Sequence, residues 1–204
     1  MRRSTHLQGN LRNALVDAAT ALIAEKGVDA LSVSELTRRL GVSSGAPYRH
    51  FPSRQDLLAA TAAQTARELA VEMSAAVQEV RRRTGDDVSA AEALAATAVA
   101  YATFVAQRRA GFEFIFADEL TRLNCDELAE AGRAVIDVLL PLTMAIAQDP
   151  DEALRLMEHH IAAAHGLGAL SRGVFAHRGS DDLAALGLEA ARVTHTLVSA
   201  AQGR

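Results

Sequence analysis

A chain of 204 residues, half of them hydrophobic, can bury a core as one large domain or two small ones. Its single cysteine, Cys125, excludes an intrachain disulfide and reads as an ordinary helix residue, and no Cys/His cluster has zinc-ligand spacing, so neither metal nor cofactor is expected. The net charge of −4 hides an asymmetry: residues 1–55 carry eight basic against four acidic side chains, leaving an acidic remainder of −8, as expected for a phosphate-binding head on a different kind of body.

The N-terminus, MRRSTHLQGNLR, has no apolar stretch behind it, which predicts a cytoplasmic chain without a secretory leader. Apolar residues then recur at three and four throughout, and the alternation of strands is missing, so the chain is expected to be all-α with about nine helices. Asn10 can cap a first helix with the apolar face Leu11, Leu15, Ala18, Ala19, Leu22 and Ile23, and Gly27 can stop it in a left-handed conformation. Ser32-Val33-Ser34-Glu35 spells a capping box that opens a short second helix ending at Leu40. Gly41 turns the chain, Val42 fills the corner, and Ser43 or Ser44 caps a third short helix containing Ala46 to Phe51. Pro47 costs little there, because first-turn amides have no intrahelical acceptor. Two short helices joined by a glycine turn make a helix-turn-helix. Leu36, Leu40, Val42 and Phe51 are its expected core.

Ser53 with Asp56 opens a long fourth helix over 53–83, and further helices are expected at about 89–109, 111–119, 125–148, 151–173 and 181–202. The longest apolar run, Ala93 to Ala106, is broken by Thr97, Tyr101 and Thr103 and is too short to cross about 30 Å of hydrocarbon, so no membrane partner is expected.

The segment LSVSELTRRLGVSSGAPYRHFPSRQDLL, Leu31 to Leu58, closely resembles the DNA-binding part of TetR/AcrR transcriptional regulators, as do the first helix and its Glu25-Lys26-Gly27 exit. The resemblance implies a reading head over 1–55, joined through the fourth helix to an effector-binding and dimerisation body over 56–204. Small residues at Ser44, Gly45 and Ala46 would let the backbone approach a major groove. Arg49 can make two bonds to guanine or sit on the DNA backbone. By resemblance Tyr48 and His50 grip phosphate, as do Ser32, Ser34 and Arg54 at helix N-termini, whose free amides favour anions. Arg38 and Arg39 read as solvated face.

One short recognition helix reads few base pairs, so such heads work in pairs on palindromic duplex DNA. The resemblance places a homodimer on the last two helices, with candidate contacts at Ile161, Ala164, Gly168, Leu183, Leu186, Ala190, Val193 and Leu197; the same stripe could equally be intrachain core. His165-Gly166 resembles the motif of a subgroup named for Trp…His-Gly, with Ile161 where the tryptophan is expected. Family members bind a small effector in the body, and the aromatic-rich stretch suggests a lining of Tyr101, Phe104, Arg108, Phe112, Phe116, Met144, His160 and His165, although plain core is an alternative for each. The expected function is a repressor released by an unknown small-molecule effector, with an activator or effector-free regulator as alternatives. A helical-bundle carrier or enzyme is disfavoured: paired Glu-x-x-His motifs, a phosphate loop and a nucleophile elbow are missing.

Overall fold

A computed structural model describes residues 3–85, 87–108, 120, 123, 125–171 and 182–203, with side chains from Leu11 onward. Among these there are no strands. The described residues form seven α-helices and two single 3₁₀ turns, fewer than the nine helices expected. We number them α1 (Arg3–Lys26), α2 (Val33–Leu40), α3 (Arg54–Thr84), α4 (Ala90–Arg108), α5 (Asp126–Ile146), α6 (Pro150–Leu170) and α7 (Leu183–Ala201). The 3₁₀ turns are Val28–Ala30 and Pro47–Arg49. Part of the shortfall is physical. The third helix of the reading head is one tight turn, because Pro47 brings no amide to the ladder and Phe51-Pro52 ends the segment. The expected helix over 111–119 lies outside the described residues.

Helix starts divide by cap chemistry. Ser53 and Asp56 form a reciprocal box, with the Ser53 amide donating to Asp56 Oδ2 at 2.9 Å and the Asp56 amide to Ser53 Oγ at 3.2 Å. Ser89 and Glu92 repeat it ahead of α4, a box that the sequence reading did not single out. The box expected at Ser32 does not form: the Ser32 side chain caps nothing and lies 2.7 Å from Ser34 Oγ, because Glu35 is held by two arginines instead. Nor does Asn10 start α1, which begins at Arg3; once nucleated, a helix extends through residues without a strong breaker. Gly27 ends α1 with a positive φ of +82°, which favours glycine, but its ψ of 169° is extended and not the left-handed helical stop expected.

The chain divides into two compact units. The first comprises Met1–Ala66 with the described residues of Ala110–Gly132, so it takes in more than a cut after residue 55 would give. The reason is its core. Leu15, Ala19, Leu22 and Ile23 of α1 pack with Leu31, Leu36 and Phe51, then with Leu57 to Ala60 and Ala62 of α3, and with Leu120. Leu123, Cys125 and Leu128 lie against the same cluster, and Arg12 pairs with Glu127 at 2.6 Å.

The second unit comprises the described residues of Arg67–Arg109 and Arg133–Arg204. Its centre is α4, whose residues Ala93 to Ala106 are buried on nearly every side against α6 and α7. Small residues set the spacing: a Cβ at Gly168 would lie 2.6 Å from Ala102 O and 2.7 Å from Val105 Cβ, and one at Gly187 2.9 Å from Val99 Cγ1.

Candidate nucleic-acid interface and effector region

The reading turn is built between two buried anchors. Gly41, at φ +65°, reverses the chain after α2, and the Val42 amide closes the corner on Thr37 O at 3.1 Å. Ala46 N bonds Ser43 O at 3.0 Å, and the His50 and Phe51 amides both reach Pro47 O at 2.9 Å, winding Ser43 to Phe51 into a compact knuckle. Pro47 and Phe51 are buried, which turns Tyr48 and Arg49 between them toward solvent; Tyr48 is 55% exposed. Ser44 and Gly45 are exposed beside them, while Ala46 and His50 are half-buried. Nothing inside the described structure requires glycine at 45. Its φ is not left-handed, and an added Cβ would meet nothing within 4 Å.

The cations of the head fall into two groups. Arg38 bonds Glu35 through Nε at 2.9 Å and Nη2 at 2.8 Å, and Arg39 bridges Glu35 to Glu25 of α1. These bonds, Arg38 first, hold the Glu35 carboxyl down at about 2, and hydrogen bonding to Arg39 lowers that of Glu25. Arg39 is therefore a strut between α1 and α2 rather than only a solvated face. Arg12 lies 5.3 Å from the Phe51 ring centroid while paired with Glu127. Arg54, expected at phosphate, donates through Nε to Leu31 O at 3.0 Å and through Nη2 to Val28 O at 2.9 Å. The Arg49 side chain makes no hydrogen bond or ion pair among the described residues, although its amide closes the turn on Ala46 O at 3.3 Å. It is exposed and aimed away from the core.

In the second unit the structure brings together some of the expected effector residues. Tyr101 is 1% exposed, and its ring meets that of His165 edge-on at 6.3 Å and 81°. Burial raises the Tyr101 hydroxyl well above its ordinary range, so it stays protonated. Arg108 lies 4.0 Å from the Phe104 ring centroid and pairs with Glu68, a partner the sequence reading missed because forty positions separate the two. His160 is instead core. Its Nε2 is 3.0 Å from Thr97 Oγ1 and its Nδ1 3.4 Å from Thr194 Oγ1, and burial pushes it down to about 4. Met144 is 46% exposed on α5. Phe112 and Phe116 lie outside the described residues.

The candidate dimer residues divide in the same way. Ala164, Gly168, Leu186 and Ala190 are buried within the chain, so they face their own core and not solvent. Period alone cannot tell a stripe that meets α4 from one that meets a partner. Ile161, Leu183, Val193 and Leu197 are half-buried at its edges. The large apolar side chains that α6 and α7 leave exposed among the described residues are Leu154, Leu170 and Leu188, the last at 70%.

A helix-turn-helix that exposes an arginine and a tyrosine on its second element, continued by an all-helical body, defines a DNA-binding regulator of transcription. Residues 15–61 match the family model described as bacterial regulatory proteins, tetR family. The HTH-type transcriptional regulator BetI of Brucella canis is 27% identical, the match covering 74% of this chain and 89% of that protein. A Rhodococcus protein of unknown function is 28% identical with a TM-score of 0.74, covering 94% of this chain and 95% of its own. FadR of Bacillus subtilis, a transcriptional regulator solved with stearoyl-CoA, shares the fold at 17% identity and a TM-score of 0.65, over 89% and 96% of the two chains. The reading head therefore resembles the DNA-binding part of tetR-family bacterial regulatory proteins, and the chain is similar over most of its length to a transcriptional regulator. Among the described residues, no helix is long and apolar enough to cross a membrane.

Proposed function

We propose that the protein is a homodimeric repressor whose two reading turns enter major grooves of a palindromic operator, and that a small molecule bound in the body releases it. The observation that carries the DNA-reading assignment is Arg49: exposed, its guanidinium without a partner among the described residues, and held outward between buried Pro47 and Phe51. A guanidinium so placed can bond two acceptors of guanine or one phosphate. Exposed Tyr48 and Ser44 beside it, with half-buried His50, supply polar groups for the DNA backbone, and the open space at Gly45 lets a groove wall come close. Ser32 and Ser34 at the start of α2 are offered to an adjacent phosphate, where free helix amides favour anions.

Tyr101, Phe104, Arg108 and His165 form the proposed effector wall, which combines apolar surface with a few polar groups. FadR's complex with stearoyl-CoA supports a ligand in this body. Release follows by linkage: an effector that prefers a conformation with the heads wrongly spaced weakens DNA binding by the factor that DNA weakens its own. Binding to a duplex that the protein selects from a random-sequence pool tests the reading. Arg49→Ala should lose about 1–3 kcal/mol or relax the sequence preference while the assembly stays intact. Undiminished affinity and preference would remove Arg49 from the interface.

A further inference from the structure

Arg54 is the first residue of α3, at a helix N-terminus beside the reading turn, where its charge invites assignment to a phosphate. We infer instead that Arg54 is a positioning residue: it fixes the approach to α2 through main-chain carbonyls, and its contribution to DNA binding runs through that geometry. This inference rests on the DNA-reading assignment above.

Three observations converge on this role. Nε and Nη2 of one planar guanidinium reach two carbonyls, Leu31 O at 3.0 Å and Val28 O at 2.9 Å, across more than twenty positions of sequence. Val28–Ala30 is a single 3₁₀ turn, followed by extended Leu31, with little hydrogen bonding of its own: Ala30 N to Gly27 O at 3.3 Å and Leu31 N to Val28 O at 3.0 Å. Leu31 leads directly into Ser32, the first residue outside α2, whose extended backbone has no side-chain cap to hold it. The Arg54 fork donates to carbonyls and so cannot satisfy the free amides of α2, but with the Ser32 box unformed it holds the backbone that leads into that helix. It ties the entry of α2 to the start of α3, the two helices that flank the reading turn. Ser53 and Asp56 lock that end of α3 in their own box, so the fork projects from a fixed base.

A lysine separates the two roles. It retains the positive charge that a phosphate contact needs, but a single ammonium cannot reproduce two donors in a fixed plane. Wild type, Arg54→Lys and Arg54→Ala, each as the full chain, are titrated against the duplex selected by the wild type, at several salt concentrations. Circular dichroism verifies folding at the same temperature. We expect both variants to fold and to bind at least about tenfold more weakly, with the slope of log affinity against log salt unchanged. A direct phosphate contact would lower that slope by about one per protomer in Arg54→Ala and leave Arg54→Lys close to wild type. Either of those results overturns the inference. So does failure of both variants to fold, or wild-type affinity in folded Arg54→Ala, since the fork would then serve stability alone. A wild-type chain that selects no duplex and shows no salt-dependent binding would instead refute the DNA-reading assignment.

Discussion

His160 shows how completely one side chain can be specified by its neighbours. The Thr97 hydroxyl donates to Leu94 O at 2.7 Å, so its oxygen is left to accept from Nε2–H, and Nδ1 then accepts from Thr194. The neutral imidazole joins α4, α6 and α7 at a site with 0% exposure, where a charge would be costly. Burial lowers its folded value to about 4 from an ordinary 6.5. The unfolded chain therefore binds the extra proton first as pH falls. The contribution is fully present above 6.5, is lost between 6.5 and 4, and amounts to up to about 3 kcal/mol. Unfolding midpoints measured across that window should fall with acid in the wild type. His160→Gln should flatten this limb while lowering stability at neutral pH, and an unchanged limb would show that other groups control it. The sequence presented this histidine as a candidate effector contact because a His among small residues looks the same whether it lines a cavity or closes a core. Only the placement of Thr97 and Thr194, far apart in sequence, separates the two.

Among elements, only some small residues of α6, Ala164 and Gly168 with Ala153, serve the chain's own interior. Gly168 lets the backbone of α6 approach Ala102 O and Val105, whereas Gly166, two positions away, has nothing within 4 Å of where a Cβ would stand. Gly168→Ala should cost about 1–3 kcal/mol, because a backbone oxygen cannot swing aside as a side chain can. Gly166→Ala should be neutral or gain up to about 1 kcal/mol from reduced unfolded-state freedom. Denaturant unfolding of the pair checks both signs, and equal effects would contradict the close approach to α4. The helices themselves were legible from apolar spacing and stop signals. Glu35 with arginines three and four positions on was also readable as an ion-pair cluster, and that cluster is what diverts Glu35 from capping α2. The outcome of such competition depends on where Glu25 and Arg39 meet across two helices.

For the whole molecule, the buried stripe of α7 is occupied by its own subunit, and a partner has to meet the exposed face. Leu186 is 9% exposed and packs in its own subunit, so a charge there should unfold the body, not split a dimer. Leu188, 70% exposed on α7, is the informative site. Leu188→Asp should retain its circular dichroism and melting behaviour, elute from a sizing column as a monomer, and bind the selected duplex more weakly; a persistent dimer would place the interface on another face. The all-helical class and the helix-turn-helix were legible along the chain, because these rest on local signals: apolar period, glycine stops, a first-turn proline, and a contiguous motif. Tertiary structure alone decided which apolar stripes are satisfied within the chain, that Leu120 and Leu128 belong with the core of the head, and that Arg54 spends two donors on carbonyls. Those outcomes depend on contacts between residues far apart along the chain, and no local pattern records which partner a side chain will meet.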